Sequence, residues 1–452
     1  MRTISAGNAH IIRLLGKQRV KNTAYRVMRY VLRAECEDGV LLHNVVTGCL
    51  ALLSTEEAEG LDSLPGTDTE KLTELIENRF LVPVDYDEKD LVLKTRAVLQ
   101  RMLTTKGVKS YTILPTTNCN ARCFYCYESD LPHVNMDEET ADNLVAYMAE
   151  HKGVGTLQLH WFGGEPLVCS GRIDQICEAL NARGIKYASS MTSNGYLFSE
   201  SLVEKAKALW KLNSVQITLD GTEEVYNRTK SYAGVTGSPY QRVLNNIQLL
   251  ADHRIRVVIR LNLDKHNMSD LQTLIGELDR RIQHREMLDV YSHVLFENAG
   301  FAPIERDEAD RAELYTRQTE INTELEKLKL RKSHQALPFL KTHNCMADAD
   351  NAVVVYPDGS LYKCEHIALE DRIGRLGESD IQEEGIAKFR ITAETEACGD
   401  CPLYPSCILL KNCQGLPDKN PYTCCYDIQR AERSLNAYYH QWKSAEGQAS
   451  DR

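Results

Sequence analysis

Three cysteines crowd one short stretch of this chain: Cys119, Cys123 and Cys126, spaced C-x3-C-x2-C. Thiolates this close repel one another unless something binds them. A fully protein-ligated iron–sulfur cubane takes four cysteines, one per iron, so a triplet with no fourth cysteine nearby leaves one iron open. Structural zinc wants four closed ligands, commonly as C-x2-C pairs. The spacing therefore favours a cluster over zinc and over a set of buried thiols.

The triplet directly follows a strand-like run, Tyr111-Thr112-Ile113-Leu114, and Gly163-Gly164-Glu165-Pro166 directly follows another. Missing side chains at the two glycines let backbone approach a ligand. Triplet, glycine motif and strand order together resemble the radical S-adenosylmethionine (radical SAM) enzymes. The resemblance implies a [4Fe-4S] cluster on Cys119, Cys123 and Cys126, with the open iron chelating the amino and carboxylate groups of S-adenosylmethionine. Tyr125, the aromatic before the last cysteine, fits the same pattern. Gly163, Gly164, Glu165 and Pro166 are assigned by the resemblance to the methionine amino group. Ser193 and Asn194, in Thr192-Ser193-Asn194-Gly195, resemble the family's ribose or carboxylate contact; a plain Asn-Gly turn is the bland alternative.

Other strand ends carry polar groups. Alternate residues of a strand share a face, so Gln216, Thr218 and Asp220 project together into the barrel. Polar groups there are costly without partners, which makes Gln216 and Thr218 cofactor-binding candidates. Arg260 and Asn262 repeat the device one strand later, and a guanidinium fork suits the cofactor carboxylate. Asp220 reads either as a general base or as a structural acceptor for turn amides.

The elements that must hold these residues follow a β–α rhythm. Strand-like segments recur at 110–115, 156–162, 187–192, 214–219, 255–263 and 290–296. Helical patterns lie between them, including 137–151, with Asn135 and Glu138 as a capping pair, and 199–211, with Leu202, Val203, Ala206, Leu209 and Trp210 on one stripe. Such alternation means parallel strands with crossover helices. Six units are too few for a complete eight-fold barrel. The resemblance implies an α/β fold, the family's partial (β/α)6 TIM barrel, over residues 96–330, with its active site at the C-terminal strand ends. Residues 305–333 read as an amphipathic helix that covers the barrel's open side or leads to the last domain.

Eight of the fifteen cysteines fall after residue 344: Cys345, Cys364, Cys398, Cys401, Cys407, Cys413, Cys424 and Cys425. Gly359 precedes Cys364 by five positions, in the turn Pro357-Asp358-Gly359. Cys398-x2-Cys401-x5-Cys407 has no reading as a packing pattern. Over residues 331–452 the series resembles the SPASM extension, which carries two auxiliary [4Fe-4S] clusters, for three in all. Its usual form is C, then G-x4-C, then C-x2-C-x5-C-x3-C, then C. Here Cys407 and Cys413 are separated by five residues, not three. The family's ligation implies Cys345, Cys364 and Cys413 for an inner cluster. Cys398, Cys401, Cys407 and one of Cys424 or Cys425 would hold an outer one. Adjacent cysteines in an extended chain point opposite ways, so the spare one closes the inner cluster or leaves it an open iron for a substrate thiolate. Cys36, Cys49, Cys169 and Cys177 read as ordinary buried thiols.

Residues 1–34 contain no acidic residue but eight basic ones: Arg2, Arg13, Lys17, Arg19, Lys21, Arg26, Arg29 and Arg33. They read as a solvated face or as a landing surface for an acidic peptide. β-rich runs flank Glu37-Asp38-Gly39, a hairpin signal. A third apolar run follows at 49–53, then a helix capped by Ser54 and Glu57, a second helix over Glu70–Glu77, and a linking helix over 92–106. Three strands followed by helices within residues 1–95 resemble the winged-helix-like leader-recognition (RRE/PqqD-like) domain of peptide-modifying enzymes, which takes an extended peptide along a sheet edge.

Composition narrows the function classes. The chain has 452 residues, 43% apolar and 26% charged, with a net charge of −11, which speaks against nucleic acid as the main partner. No apolar run reaches the length of a membrane span and no signal-peptide core opens the chain. Cysteines without an export signal point to metal or redox centres in the cytoplasm. The resemblance implies an oxidoreductase-type radical SAM/SPASM enzyme. It would cleave S-adenosylmethionine to a 5′-deoxyadenosyl radical, driven by an external electron donor of flavodoxin or ferredoxin type. Its expected substrate is a ribosomally made (RiPP) precursor peptide with a leader, and its expected product an intramolecular thioether. A carbon–carbon or carbon–oxygen crosslink, an epimerised centre and a sulfatase-maturating formylglycine synthesis remain open. A non-catalytic electron carrier gives the glycine and strand-end motifs no job.

Overall fold

The computed structural model describes residues 1–65, 72–103, 107–129, 131–297, 304–331, 337–366, 369–378, 382–411 and 421–450. The N-terminal elements are β1 (Arg2–Ser5), α1 (Ala9–Leu15), β2 (Tyr25–Val27), β3 (Val31–Cys36), β4 (Gly39–Asn44), β5 (Leu50–Leu53), α2 (Thr55–Asp62), α3 (Thr73–Glu77) and β6 (Leu81–Pro83). Four strands form an antiparallel sheet in the order β1-β5-β4-β3, and β2 pairs with β6 as a separate ribbon. The Asp-Gly hairpin is present as β3–β4. The capping box is present too: the Ser54 hydroxyl accepts from Glu57 N (3.2 Å), and Ser54 N donates to the Glu57 carboxylate (2.9 Å). Within the described residues the second helix is shorter than expected, beginning at Thr73; Glu70 lies outside them. Leu61, Leu75 and Ile76 cover one sheet face, over Val40, Leu42, Ala51 and Leu53. The linking helix α4 (Glu88–Leu103) starts four residues before the expected 92, because the Asp87 carboxylate accepts from Asp90 N (2.9 Å) and caps it there.

The central elements follow as β7 (Ser110–Ile113), α5 (Glu138–His151), β8 (Leu157–Trp161), α6 (Ser170–Ala182), β9 (Tyr187–Ser193), α7 (Glu200–Ala208), β10 (Leu212–Leu219), α8 (Glu223–Lys230), α9 (Pro239–Asp252), β11 (Arg256–Leu263), α10 (Met268–Arg281), β12 (Leu288–Val294) and α11 (Glu308–Lys327). β7 to β12 pair in sequence order, all parallel. Among the described residues β12 and β7 do not pair, so the six β/α units stay open. Alternate residues of β9 are buried against the helices and half-buried on the other face, which aims one row of side chains inward. α5 is capped by Asp137, whose carboxylate accepts from Thr140 N (2.8 Å). Asn135 is not the cap; it accepts instead from Thr116 Oγ1 (2.6 Å) and Asn118 Nδ2 (2.9 Å). α7 ends before Trp210, whose indole N–H donates to Asp174 (2.8 Å). α11 lies on β12, burying Leu314, Ile321 and Leu325, with Asn322 accepting from Ser292 N (2.9 Å).

The remaining elements are β13 (Ala352–Val355), β14 (Ser360–Tyr362), β15 (Gly374–Arg375), α12 (Glu383–Ala387) and α13 (Pro421–Ser450). β13 pairs in parallel with β7, Ala352 opposite Ser110 and Val355 opposite Ile113. The cysteine-rich region therefore prolongs the central sheet. α13 lies across the other face of the N-terminal sheet, placing Ala431, Leu435 and Tyr439 against Leu32, Ala34 and Leu41. Tyr30 stacks on Tyr404 at 5.6 Å between ring centroids. Arg96 on α4 donates to the carbonyls of Lys341 (2.9 Å) and Pro405 (3.2 Å).

The basic N-terminal segment is less available than its charge count suggests. Arg2 pairs with Glu446, Lys17 with Glu77, Arg26 with Glu88, Arg29 with Asp400 and Arg33 with Asp62. These basic residues mostly bind the domain to its own helices and to the cysteine-rich region. Among the described residues no helix is long and apolar enough to cross a membrane.

Candidate active site

The triplet loop leaves β7 through Thr116, Thr117 and Asn118. The two buried threonines fasten it to the segment ahead of α5: Thr116 Oγ1 donates to Val134 O (3.1 Å), and Val134 N donates to Thr117 Oγ1 (2.8 Å). Gly163 and Gly164 run beside this stretch. A Cβ on Gly163 would lie 2.3 Å from Thr116 O, and one on Gly164 would lie 2.4 Å from Asn118 O. Gly163 also has φ +111°, a conformation that L side chains rarely adopt. The glycines thus admit neighbouring backbone, and Glu165 N closes the contact by donating to Asn118 O (2.9 Å).

Glu165 is fully buried and joins two strand ends. Its carboxylate accepts from Leu167 N (3.1 Å), Ser193 Oγ (2.9 Å) and Asn194 N (2.7 Å). Burial pushes its pKa up to about 7 against these hydrogen bonds. Pro166, next in the chain, is buried at the start of a short turn of 3-10 helix. Ser193 is therefore occupied by Glu165. Asn194 crosses to the triplet loop, donating to Asn120 Oδ1 (2.7 Å) and to Cys119 Sγ (3.9 Å).

On the other side the end of α8 grips the same loop. Arg122 N donates to Lys230 O (2.8 Å) and Ala233 N to Asn120 O (3.0 Å). The Lys230 ammonium is buried; it donates to the Tyr125 hydroxyl (2.8 Å) and pairs with Asp220 Oδ2 (3.1 Å). Tyr125 donates in turn to Asp220 Oδ1 (2.8 Å), which also accepts from Asn262 Nδ2 (2.8 Å). Burial pulls the Lys230 pKa down, but Asp220, Cys123 and Tyr125 more than reverse this and hold it charged. Asp220 is thus an acceptor for side chains, not for the turn amides expected.

Burial pushes the triplet thiols up, Cys119 to about 12 and Cys126 to about 11, with neighbouring acidic groups adding to the rise. Thiols in such a setting ionise when a metal centre supplies the compensating charge. Among the described residues no three His, Cys, Asp or Glu converge as ligands of one metal ion. In a cubane each cysteine bonds its own iron. Ala121 N already points at Cys119 Sγ (3.4 Å), and the same turn recurs at Cys345 with Ala347 N and at Cys364 with His366 N, each 3.4 Å. Hydrogen bonds of this kind tune cluster sulfurs.

The inner face of the sheet is polar above this base. His160 contacts Ser190 Oγ (2.8 Å) and Thr192 Oγ1 (3.1 Å), and burial lowers its pKa to about 4. Gln216 accepts from Tyr291 OH (3.2 Å), and Thr218 stands opposite Arg260 in the ladder. Arg260 lies over the Phe296 ring at 5.2 Å, with His293 Nδ1 3.4 Å from its Nη2. Tyr127, next to Cys126, packs against His366 with the ring centroids 3.9 Å apart and the planes tilted by 34°, so the triplet loop and the Cys364 loop touch.

Of the later cysteines, Cys401, Cys407 and Cys424 line one cavity of about 400 Å³, shared with Asp427 and Arg430. Cys398 does not line it; Thr395 N points at its sulfur (3.4 Å). Cys413 and the side chain of Cys425 lie outside the described residues. Cys49 and Cys177 are buried as expected, whereas Cys36 and Cys169 are half-buried.

Sequence reasoning missed Lys230, Asn120, His160 and His293. His160 was within reach: it is the inward polar residue of Leu157-Gln158-Leu159-His160-Trp161, the device that revealed Gln216. Lys230 carried no such signal, being one of two basic residues, with Arg228, at the end of a short polar helix.

Residues 113–278 match the model of the radical SAM superfamily. Over that segment, a little over a third of the chain, the protein is similar to the radical SAM superfamily. A match to that superfamily implies a [4Fe-4S] cluster and S-adenosylmethionine. The serine-type anaerobic sulfatase-maturating enzyme of Klebsiella aerogenes is 25% identical over 294 residues, 58% of this chain and 68% of its own. The first curated relatives are matched over 40% and 68% of their own lengths. Among solved structures, native anSMEcpe with bound AdoMet superposes with a TM-score of 0.57 at 18% identity, covering 74% of this chain and 99% of that one. Streptococcus suis SuiB bound to precursor peptide SuiA reaches 0.51 at 15% identity, over 85% and 94%. These likenesses establish the shared fold.

Proposed function

We propose that this enzyme is a maturase of a ribosomally made precursor peptide and installs an intramolecular crosslink, with a thioether from a cysteine sulfur the favoured product. The observation that carries this reading is the meeting of two cysteine loops, the Tyr127 ring beside Cys126 packed against the His366 ring near Cys364. A substrate in the barrel mouth would lie between the radical-generating centre and an auxiliary one. Cys119, Cys123 and Cys126 would hold the first cluster. Cys345, Cys364 and Cys413 would serve the second. Cys398, Cys401 and Cys407, with Cys424 or Cys425, would serve the third.

S-adenosylmethionine, given an electron from a flavodoxin- or ferredoxin-type donor, would supply the radical chemistry that takes hydrogen from carbon. The chain's own residues orient it and exclude water: Gly163 to Pro166, Ser193 and Asn194 on one side, Tyr125 on the other, with Gln216, Thr218 and Arg260 lining the approach. The N-terminal sheet would take the leader along β3, whose outer edge pairs with no other strand among the described residues.

A formylglycine-forming maturase is the second reading, favoured by the match to the Klebsiella enzyme. The fit to anSMEcpe uses nearly all of that chain and leaves a part of this one unmatched, which argues for the peptide reading. Co-expression with the small peptide encoded beside the gene separates the two by mass spectrometry. A thioether maturase yields a peptide with two fewer hydrogens and a cysteine that resists alkylation. An aldehyde that captures a hydrazine, formed on a sulfatase-derived peptide, would instead install the second reading.

A further inference from the structure

Lys230 and Asp220 stand behind the triplet loop in a way that loop anchoring alone does not explain. Both are almost fully buried, 4% and 2% exposed. Both meet at one atom, the Tyr125 hydroxyl, 2.8 Å from each, on the residue between Cys123 and Cys126. Burying two charges costs several kcal/mol per ion, and a well-packed apolar pair often holds a fold as well or better. Anchoring is already supplied by backbone: Arg122 N to Lys230 O and Ala233 N to Asn120 O. Asn262 and Asn267 hold the Asp220 side chain and carbonyl, each at 2.8 Å, so the carboxylate is fixed in place.

Net charge near an iron–sulfur cluster, hydrogen bonds and solvent exposure set its reduction potential. In this dry setting a fixed charge is weakly screened. We propose that Lys230 and Asp220 are positioning residues that poise the reduction potential of the cluster on Cys119, Cys123 and Cys126, the ammonium favouring the reduced state and the carboxylate opposing it. The inference rests on the triplet holding that cluster. It extends the reading to a pair of residues that touch neither the triplet sulfurs as ligands nor the substrate.

The two charges act in opposite senses, which makes the test directional. The full-length enzyme is reconstituted anaerobically, and its reduced-cluster EPR signal is followed against potential. The component that S-adenosylmethionine perturbs is taken as the triplet cluster. Lys230→Met should shift its midpoint to more negative values, Asp220→Asn to more positive values, and the double variant should return towards the parent. A role confined to packing would not give shifts of opposite sign. If the two variants keep the cluster and shift together, or do not shift, the proposal is overturned. If Lys230→Met fails to hold iron, the isosteric Asp220→Asn decides alone, and an unmoved or negative midpoint overturns it. A parent enzyme with no S-adenosylmethionine-sensitive signal would instead sink the cluster assignment, an outcome separate from either shift.

Discussion

At the scale of single residues, Gly163 and Gly164 carry a requirement set by distance. A methyl group at either meets a carbonyl oxygen well inside contact range, and at Gly163 the backbone conformation adds strain of about 1–3 kcal/mol. Gly163→Ala should lower the melting temperature and reduce the iron held by the triplet after reconstitution. Gly171, early in α6, has nothing within 4 Å of its hypothetical Cβ. Gly171→Ala should be neutral or stabilise by up to roughly 1 kcal/mol. Equal behaviour of the two variants would show that close approach is not the reason for Gly163. The glycines were legible in the sequence as a motif, but not their neighbour. That neighbour is the run that leads into Cys119, against which Gly-Gly-Glu-Pro fits. Asp220 was legible as an inward polar group, while its partner Lys230 was not, because ten residues and a helix separate them and no spacing rule joins a helix end to a strand end.

At the scale of elements, the strand rhythm was readable because each β strand alternates apolar and polar residues between turn signals. The six expected strands all appear, shifted at their ends by a few residues. Helix caps were harder. Asn135 and Asp137 are both good cap residues, and only the tertiary contact of Asn135 with Thr116 decides between them. α4 shows what sequence reading cannot reach. Arg96 looks like any solvent-facing arginine of an amphipathic helix, yet its guanidinium holds carbonyls near 341 and 405. Arg96→Met should leave those carbonyls without their donor and cost about 2–3 kcal/mol, measured as a fall in urea midpoint. Hydrogen exchange should rise in the 398–407 segment more than in β7 to β12. Uniform change across both would place the effect elsewhere.

At the scale of the whole molecule, the N-terminal sheet is docked on the cysteine-rich region and the last helix. The strand-and-helix layout anticipated a small antiparallel domain. It could not anticipate that most of the basic segment would be consumed in ion pairs, since those partners lie as far away as Glu446. What remains open for a leader is the outer side of β3. Tyr30 O accepts from Val45 N, and the ladder then turns the amides of Arg33 and Glu35 outward. Glu35→Pro removes an outward N–H without breaking the ladder to β4, a position where edge strands tolerate proline. Precursor modification should fall at least tenfold while uncoupled cofactor cleavage is kept, read by mass spectrometry and deoxyadenosine release. Unchanged modification of the full-length precursor would remove β3 from the recognition path.

The clasp between the two chain ends also has a place in time. Tyr439 reaches Asp38 across 401 residues of sequence, and Lys443 binds Glu37 and Asp38 beside it. A ribosome working at about 5–20 residues per second needs on the order of 20–80 s to make that intervening stretch. Throughout synthesis Leu32, Ala34 and Leu41 wait without the helix that will cover them. The newborn chain thus presents an apolar strip suited to a nascent-chain chaperone, and the mature surface hides it.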